Sequence, residues 1–140
     1  MGCNNSIVIN ESTDKVWAAI KNFHDLSWSA NVVAKVDKIG DKTGNEIGAK
    51  RILNDAFHET LLSVDEKAKA FTYSIDNGPG PLASDAVSGY VGKVELIPVT
   101  ADNSTFVRWT SKWESESGGV ADFCNPIYHA LLNDLKGHFS

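Results

Sequence analysis

The chain has 140 residues, of which 42% are hydrophobic and 22% charged, with a formal net charge of -5. That length carries one domain, residues 1–140, large enough to bury a core. The acidic balance argues against nucleic acid as a partner and, more weakly, against anionic membrane surfaces. No apolar run is long enough to span a bilayer, so no stable membrane insertion is expected, and Ile7 to Ile9 is too short for a secretory h-region. Two cysteines, Cys3 and Cys124, make no disulfide framework, which leaves a reduced cytoplasm as the default compartment.

In chain order, Met1-Gly2-Cys3-Asn4-Asn5-Ser6 fits a loose N-myristoylation pattern, whose plainer reading is a start residue running into a first strand. That strand is expected over Ser6 to Asn10. Ser12 caps a helix with Asp14 in its first turn and an apolar stripe of Val16, Trp17, Ile20 and Phe23. His24 to Trp28 reads as a second, shorter helix or turn. Strands are then expected over Asn31 to Ile39, Ile47 to Leu53, Phe57 to Asp65 and Ala70 to Asp76. Two long ones follow, Ala86 to Val99 and Thr105 to Glu114. Gly89 and Gly92 inside the first of these mark a bend or a close approach.

The last element is the longest helical pattern, Val120 to Phe139. Ala121, Cys124, Tyr128, Leu131, Leu132, Leu135 and Phe139 recur at three- and four-residue steps. Asn125-Pro126 allows two readings, a helix that starts there or one that starts near Val120 and kinks at the proline; the second is favoured. The order is strand, two helices, six strands and a long helix. Short turns between consecutive strands make neighbours antiparallel, and segregated helices make the class α+β. A sheet bent at its glycines and closed by one helix need not pack solid, so an internal cavity is possible.

The hairpin from Ile47 to Val64 carries the most chemical information. A three-residue loop at Asn54 to Ala56 sets Leu53 opposite Phe57 and Arg51 opposite Glu59. Arg51 and Glu59 then share a face with Ile47, Ala49, Leu53, Phe57 and Leu61, while Lys50, Ile52, His58, Thr60 and Leu62 take the other. An Arg and a Glu among apolar neighbours are costly to bury unless paired, and as a pair they can orient a ligand or move a proton. The alternative is a cross-strand salt bridge on a solvent face. Trp109, Ser111 and Trp113 alternate on the inward face of the last strand. With Trp28, Tyr73, Tyr90 and Tyr128 they supply apolar walls with a few polar tips, which suits a ligand cavity as well as an ordinary core.

Gly78-Pro79-Gly80-Pro81 is either a plain turn or a lid at a cavity mouth. It lacks the lysine and the strand–loop–helix setting of a phosphate-binding loop. His58-Glu59 has no following His at zinc-protease spacing, and no nucleophile elbow or dinucleotide fingerprint is present. His24, His58, His129 and His138 show no ligand spacing, so no metal and no cofactor are expected. Cys124 reads as a small buried residue rather than a nucleophile.

Several strings in this order resemble the START/Bet v 1-like (SRPBCC) superfamily in its polyketide cyclase/dehydrase branch. They are Ser12-Thr13-Asp14-Lys15-Val16-Trp17, Phe23-His24-Asp25-Leu26 with Trp28, Gly48-Ala49-Lys50-Arg51 and Glu59-Thr60-Leu61-Leu62. Tyr73-Ser74-Ile75 with Gly78-Pro79 and Pro81-Leu82, Tyr90, Trp109 with Ser111, and Tyr128 with Leu131, Leu135 and Lys136 complete them. The resemblance implies a helix-grip fold: a seven-stranded curved antiparallel sheet around a long C-terminal helix, with two short helices after the first strand. It implies binding of a small hydrophobic or amphipathic ligand, with Arg51 and Glu59 as the polar pair of the cavity. Members include enzymes and receptors. The Ser-Gly-Leu-Pro gate and His-Arg-Leu latch strings of the hormone receptors are absent around Asn54 to Phe57 and Asn77 to Ser84.

The expected function is therefore binding of a lipid, polyketide or isoprenoid-like molecule by a monomer or weak homodimer. The candidate ligand-binding residues are Trp28, Arg51, Phe57, Glu59, Leu61, Tyr73, Tyr90, Trp109, Ser111, Trp113, Cys124 and Tyr128. The enzymatic alternative is a cyclase, dehydratase or isomerase with Glu59 as acid/base and Arg51 beside it.

Overall fold

The computed structural model describes all of residues 1–140. Strand β1 (Gly2–Ile9) leads into helix α1 (Thr13–Ile20), and the chain then runs through β2 (Val36–Ile39), β3 (Lys50–Leu53), β4 (Phe57–Asp65) and β5 (Ala70–Asn77). After β6 (Val87–Ser88) come β7 (Val91–Val99), β8 (Ser104–Lys112), β9 (Ser115–Glu116) and helix α2 (Val120–His138). Seven strands form one antiparallel sheet in the order β1-β8-β7-β5-β4-β3-β2, and β6 pairs separately with β9. The α+β helix-grip architecture expected from the sequence is the one observed. No helix is long and apolar enough to cross a membrane.

Because β1 and β2 lie at opposite edges of the sheet, the segment between them has to cross its open end. Helix α1 begins there with Ser12, whose hydroxyl accepts from the Lys15 amide at 3.4 Å. It buries Val16, Trp17 and Ile20 against the sheet. The Trp17 indole N–H donates to Glu66 Oε2 at 2.7 Å, tying the helix to the β4–β5 turn. The second short helix is reduced to one 3-10 turn over Ser27–Ser29. The Ser29 hydroxyl donates to Asp134 Oδ2 on α2 at 2.8 Å, so this turn docks on the long helix.

Several boundaries differ from the sequence reading. Strand β1 starts at Gly2, not Ser6, and is paired along its whole length with β8, from Gly2 opposite Lys112 to Ile9 opposite Thr105. Asn31 to Lys35 is not strand. The Asn54 side chain binds that stretch instead, its Oδ1 accepting from the Ala34 and Lys35 amides and its Nδ2 donating to the Val32 carbonyl. Ile47 does not share the inward face. Gly48 has φ +92, which breaks the alternation ahead of β3, and Ile47 is 61% exposed. The expected strand Ala86 to Val99 is split at Gly89, with φ +67, into β6 and β7, and the Thr105 to Glu114 strand ends at Lys112.

Helix α2 starts at Val120 behind Gly119 and runs unbroken through Pro126. Of the two readings of Asn125-Pro126, the start at Asn125 is not realised. Asn125 instead accepts from Asn5 of β1 at 2.9 Å, and the Glu116 carboxylate takes the Val120 amide at 3.4 Å. The apolar face of α2 buries Cys124, Tyr128, Leu131, Leu132 and Leu135 toward the sheet. On the sheet side, the β4–β5 register slips between His58 and Glu59 and again between Leu61 and Ser63. Such bulges bend strands.

Gly92 lies directly opposite Tyr73 across the β5–β7 pair. A Cβ built on it would fall 2.3 Å from Tyr73 Cζ, and Tyr73 is 2% exposed. Gly92→Ala is therefore expected to cost about 1–3 kcal/mol by overpacking. Gly137→Ala, in open space near the end of α2, is expected to stabilise by about 0.4–1 kcal/mol. Urea midpoints of the two variants check the opposite signs.

Candidate functional site

Between the sheet and α2 lies a cavity of about 200 Å³, lined by 16 residues of which 13 are hydrophobic. The floor comes from β3, β4, β5 and β8 through Arg51, Leu53, Glu59, Tyr73 and Trp109, and the roof from Cys124, Ile127, Tyr128 and Leu131 of α2. Half-buried Val32, Phe57 and Ile75, with exposed Asn54, stand at its mouth. There Phe57 stacks on Phe123 of α2, with centroids 6.5 Å apart. The hairpin tip thus closes against the helix by an aromatic contact rather than by backbone bonds.

The hairpin that carries the polar pair folds as its sequence dictates. Asn54 and Asp55 both have positive φ, of 54 and 58, and the Ala56 amide returns to the Leu53 carbonyl at 2.9 Å. These two residue types tolerate that conformation best after glycine. Leu53 is consequently opposite Phe57, and Arg51 opposite Glu59. Both charged residues are 5% exposed, so the solvent-face alternative is not the one realised. Arg51 Nε and Nη2 reach the same carboxylate oxygen, Glu59 Oε1, at 2.8 and 2.6 Å. Its Nη1 donates to the Phe23 carbonyl at 2.7 Å, and the guanidinium lies 3.8 Å over the Phe23 ring. Burial raises the Glu59 carboxyl above its ordinary value, and the Arg51 charge opposes this without cancelling it.

A second polar feature is a chain of hydroxyls. The Trp109 indole N–H donates to the Tyr73 hydroxyl at 2.8 Å, Tyr73 meets Tyr128 at 3.3 Å, Tyr128 meets Tyr90 in a short contact, and Tyr90 donates to Cys124 Sγ at 3.6 Å. Burial holds the Tyr73, Tyr90 and Tyr128 phenols neutral at any ordinary pH and pushes the Cys124 thiol up to about 11, so none of the four is a ready nucleophile.

Of the residues singled out in the sequence, Arg51, Phe57, Glu59, Tyr73, Trp109, Cys124 and Tyr128 line the cavity. Trp28, Leu61, Tyr90, Ser111 and Trp113 are buried but lie outside the lining. Tyr90 touches it through the Tyr128 hydroxyl and Cys124 Sγ, and Trp113 stacks on Tyr90 with centroids 5.7 Å apart. Leu26, Val33, Leu82, Ile127 and Leu131 line the cavity without having been singled out. Ile127 and Leu131 could have been found, because they follow Cys124 and Tyr128 at helical spacing. Leu82 could not, since it reaches the interior only because Gly80–Leu82 coils into a 3-10 turn. No group of His, Cys, Asp or Glu is arranged to hold a metal ion.

A sequence profile of the family described as polyketide cyclase/dehydrase and lipid transport matches residues 3–139. Among solved structures, a protein from Nitrosospira multiformis is 39% identical with a TM-score of 0.97, covering 100% of this chain and 97% of that one. The protein XoxI from Bacillus cereus, at 22% identity, has a TM-score of 0.80 with 99% and 94% covered. A Thermobifida fusca protein, at 18%, has 0.82 with 99% and 92% covered. The last two show likeness of fold alone. No match is found among curated proteins.

Removing one member of the buried pair strands the other. Arg51→Ala is expected to cost about 3–5 kcal/mol in urea unfolding, and the volume-conserving double change Arg51→Met/Glu59→Leu far less. The raised carboxyl adds a pH signature. Glu59 holds its proton to higher pH when folded than when unfolded. Its stabilising contribution is therefore full below its unfolded value and fades as pH climbs through the folded one. A carbon-13 NMR titration of the Glu59 carboxyl should give a midpoint above the ordinary 4.5; a midpoint below it would mean that Arg51 dominates.

Proposed function

The chain belongs to the polyketide cyclase/dehydrase and lipid transport family, and from that premise we propose that it encloses one small hydrophobic or amphipathic molecule between sheet and helix. The observation that carries the proposal is an apolar recess beneath α2 whose wall contains one buried, paired guanidinium and carboxylate. Apolar walls supply affinity and a few fixed polar atoms supply orientation, which is the ordinary division of labour in a ligand pocket. In this reading Arg51 and Glu59 anchor the polar end of the ligand, while Phe57, Tyr73, Trp109 and Tyr128 enclose its body. Two free, buried cysteines fit a reducing cytoplasm, and a monomer or weak homodimer is sufficient because the recess is built by one chain.

One observation favours a second reading. A carboxyl raised by burial is closer to the protonation balance that acid/base catalysis at neutral pH requires. Glu59 would then deliver or accept the proton of a cyclisation, dehydration or isomerisation, with Arg51 holding the oxygen on which charge develops. The binding reading is preferred because Arg51 is already committed to Glu59 and to the Phe23 carbonyl.

Native mass spectrometry of protein purified from its own host is expected to retain a small organic molecule at one copy per chain, released on denaturation. Preparations that carry none, and that show no thermal shift with any apolar compound, would end the proposal. With the ligand in hand, Glu59→Gln separates the readings: as acid/base its loss should lower turnover by roughly 100-fold or more, and as anchor it should weaken affinity with no turnover to lose.

A further inference from the structure

The seven-stranded sheet ends in two unlike edges, β2 and β1. Strand β2 is four residues long and carries Asp37 and Lys38. The Asn54 side chain ties down the backbone just ahead of it. A short, charged edge of this kind does not invite another strand. Strand β1 is eight residues long, Gly2-Cys3-Asn4-Asn5-Ser6-Ile7-Val8-Ile9, with neither a charge nor a proline. Its pairing with β8 runs from Gly2 to Ile9 without a bulge. Shortness, charge, proline and bulges are the usual guards of an edge, and β1 has none of them.

The open side of β1 carries unused hydrogen-bonding groups. In an antiparallel ladder every second residue turns its amide and carbonyl away from the partner strand. The backbone hydrogen bonds made outside helices and strands involve no residue from 2 to 8, so on β1 those groups meet no other part of the main chain. Cys3, Asn5 and Ile9 face inward and are buried, with Asn5 donating to Asn125 of α2, while Gly2, Asn4, Ser6 and Val8 are exposed. On the outer face Val8, 47% exposed, lies opposite Phe106, and Phe106 lies opposite Ile97, 39% exposed. An apolar row thus crosses from β7 to the β1 edge and stops there.

A second copy of the same strand complements this edge. Antiparallel strands related by a two-fold axis offer each other the same free amides and carbonyls. The chain carries a net charge of -5, and β1 itself brings no charge to such a contact. We propose that β1 is the docking edge for β1 of a second copy, the two strands pairing antiparallel so that two seven-stranded sheets run on as one. The contact would be about 27 Å long and about 10 Å deep, the thickness of one sheet layer. That lies below the roughly 1,200 Å² under which complexes are transient, so the homodimer is weak and reversible. Because β2 offers no equivalent edge, pairing closes at two copies instead of growing into a filament. The dimer leaves the recess beneath α2 as one chain builds it, and it stands or falls apart from the ligand-binding reading.

Sedimentation equilibrium of the full chain tests it. A monomer–dimer equilibrium with a dissociation constant between about 1 μM and about 1 mM is expected, with no larger species. Ser6→Glu sets its new carboxylate opposite Arg108 within the monomer, and Val8→Lys replaces an exposed side chain. Each brings like charges together across the two-fold axis and should weaken the dimer roughly tenfold or more. Ile39→Lys on β2 should change it by no more than about twofold. In the unaltered protein, deuterium exchange of β1 amides should slow as concentration rises, and that of β2 amides should not. A chain still monomeric at about 1 mM, a dimer that survives both β1 substitutions or is lost with Ile39→Lys, growth past two copies, or concentration-independent exchange in β1 overturns the proposal. The exchange measurement decides it even if a variant folds poorly.

Discussion

The contact between the Arg51 guanidinium and the Glu59 carboxylate is the constraint on which the rest of the structure turns. Taking either ion out of water costs several kcal/mol, and mutual attraction offsets this only when the remaining hydrogen-bonding capacity is also met. Here part of that capacity is met by a segment remote in sequence. The Phe23 carbonyl takes one guanidinium hydrogen and the Phe23 ring lies beneath the cation. Phe23 is itself held by its amide on the Gly44 carbonyl, and neighbouring His24 by its ring on the Lys50 carbonyl. The pair therefore fixes three things together: the β3–β4 register, the path of the chain after α1, and the polarity of one cavity wall.

The rest of the sheet floor is fixed by fit rather than by charge. Tyr73 can lie across β7 because residue 92 has no side chain, and its hydroxyl is thereby delivered to Trp109 and Tyr128. The Trp109 ring in turn packs on Tyr73 edge-on and on Tyr128 with centroids 5.3 Å apart. A larger residue at 92 would displace the ring from which the hydroxyl chain starts. The close-approach glycine of β7 is thus a condition for the polar order above it, and the bent glycine at 89 has the separate job of turning the chain into the small sheet with β9.

Much of this was legible in the residues, and the rest was not for identifiable reasons. The Arg51–Glu59 register followed from a three-residue loop with Asn and Asp in it, a purely local rule. The face of α2 followed from period alone. The failures are tertiary. Asn31 to Lys35 has a strand-like composition, but the Asn54 side chain, about twenty positions later, satisfies its backbone first. Ile47 has the apolarity of an inward residue, yet Gly48 reverses φ directly after it. Leu26, Val33 and Leu82 could not be told from ordinary core, because an apolar residue carries no mark that separates cavity wall from filled interior. Trp28 and Trp113 erred in the other direction for the same reason: their amphipathic rings suit a pocket, and the fold uses them as packing.

The geometry of the pair bears on whether the cavity binds or transforms its occupant. An oxyanion-stabilising arginine is most effective when its donors aim at the place where charge will develop. Arg51 aims two of its donors at Glu59 Oε1 and a third at a backbone carbonyl, so most of its directed capacity is spent before any ligand arrives. Glu59 commits Oε1 to Arg51, and burial favours its protonated form more than water does. Of the five guanidinium hydrogens, three are engaged by Glu59 and the Phe23 carbonyl and two are left. With most of its directed donors held by protein atoms, Arg51 would meet a full negative charge only through rearrangement of those contacts.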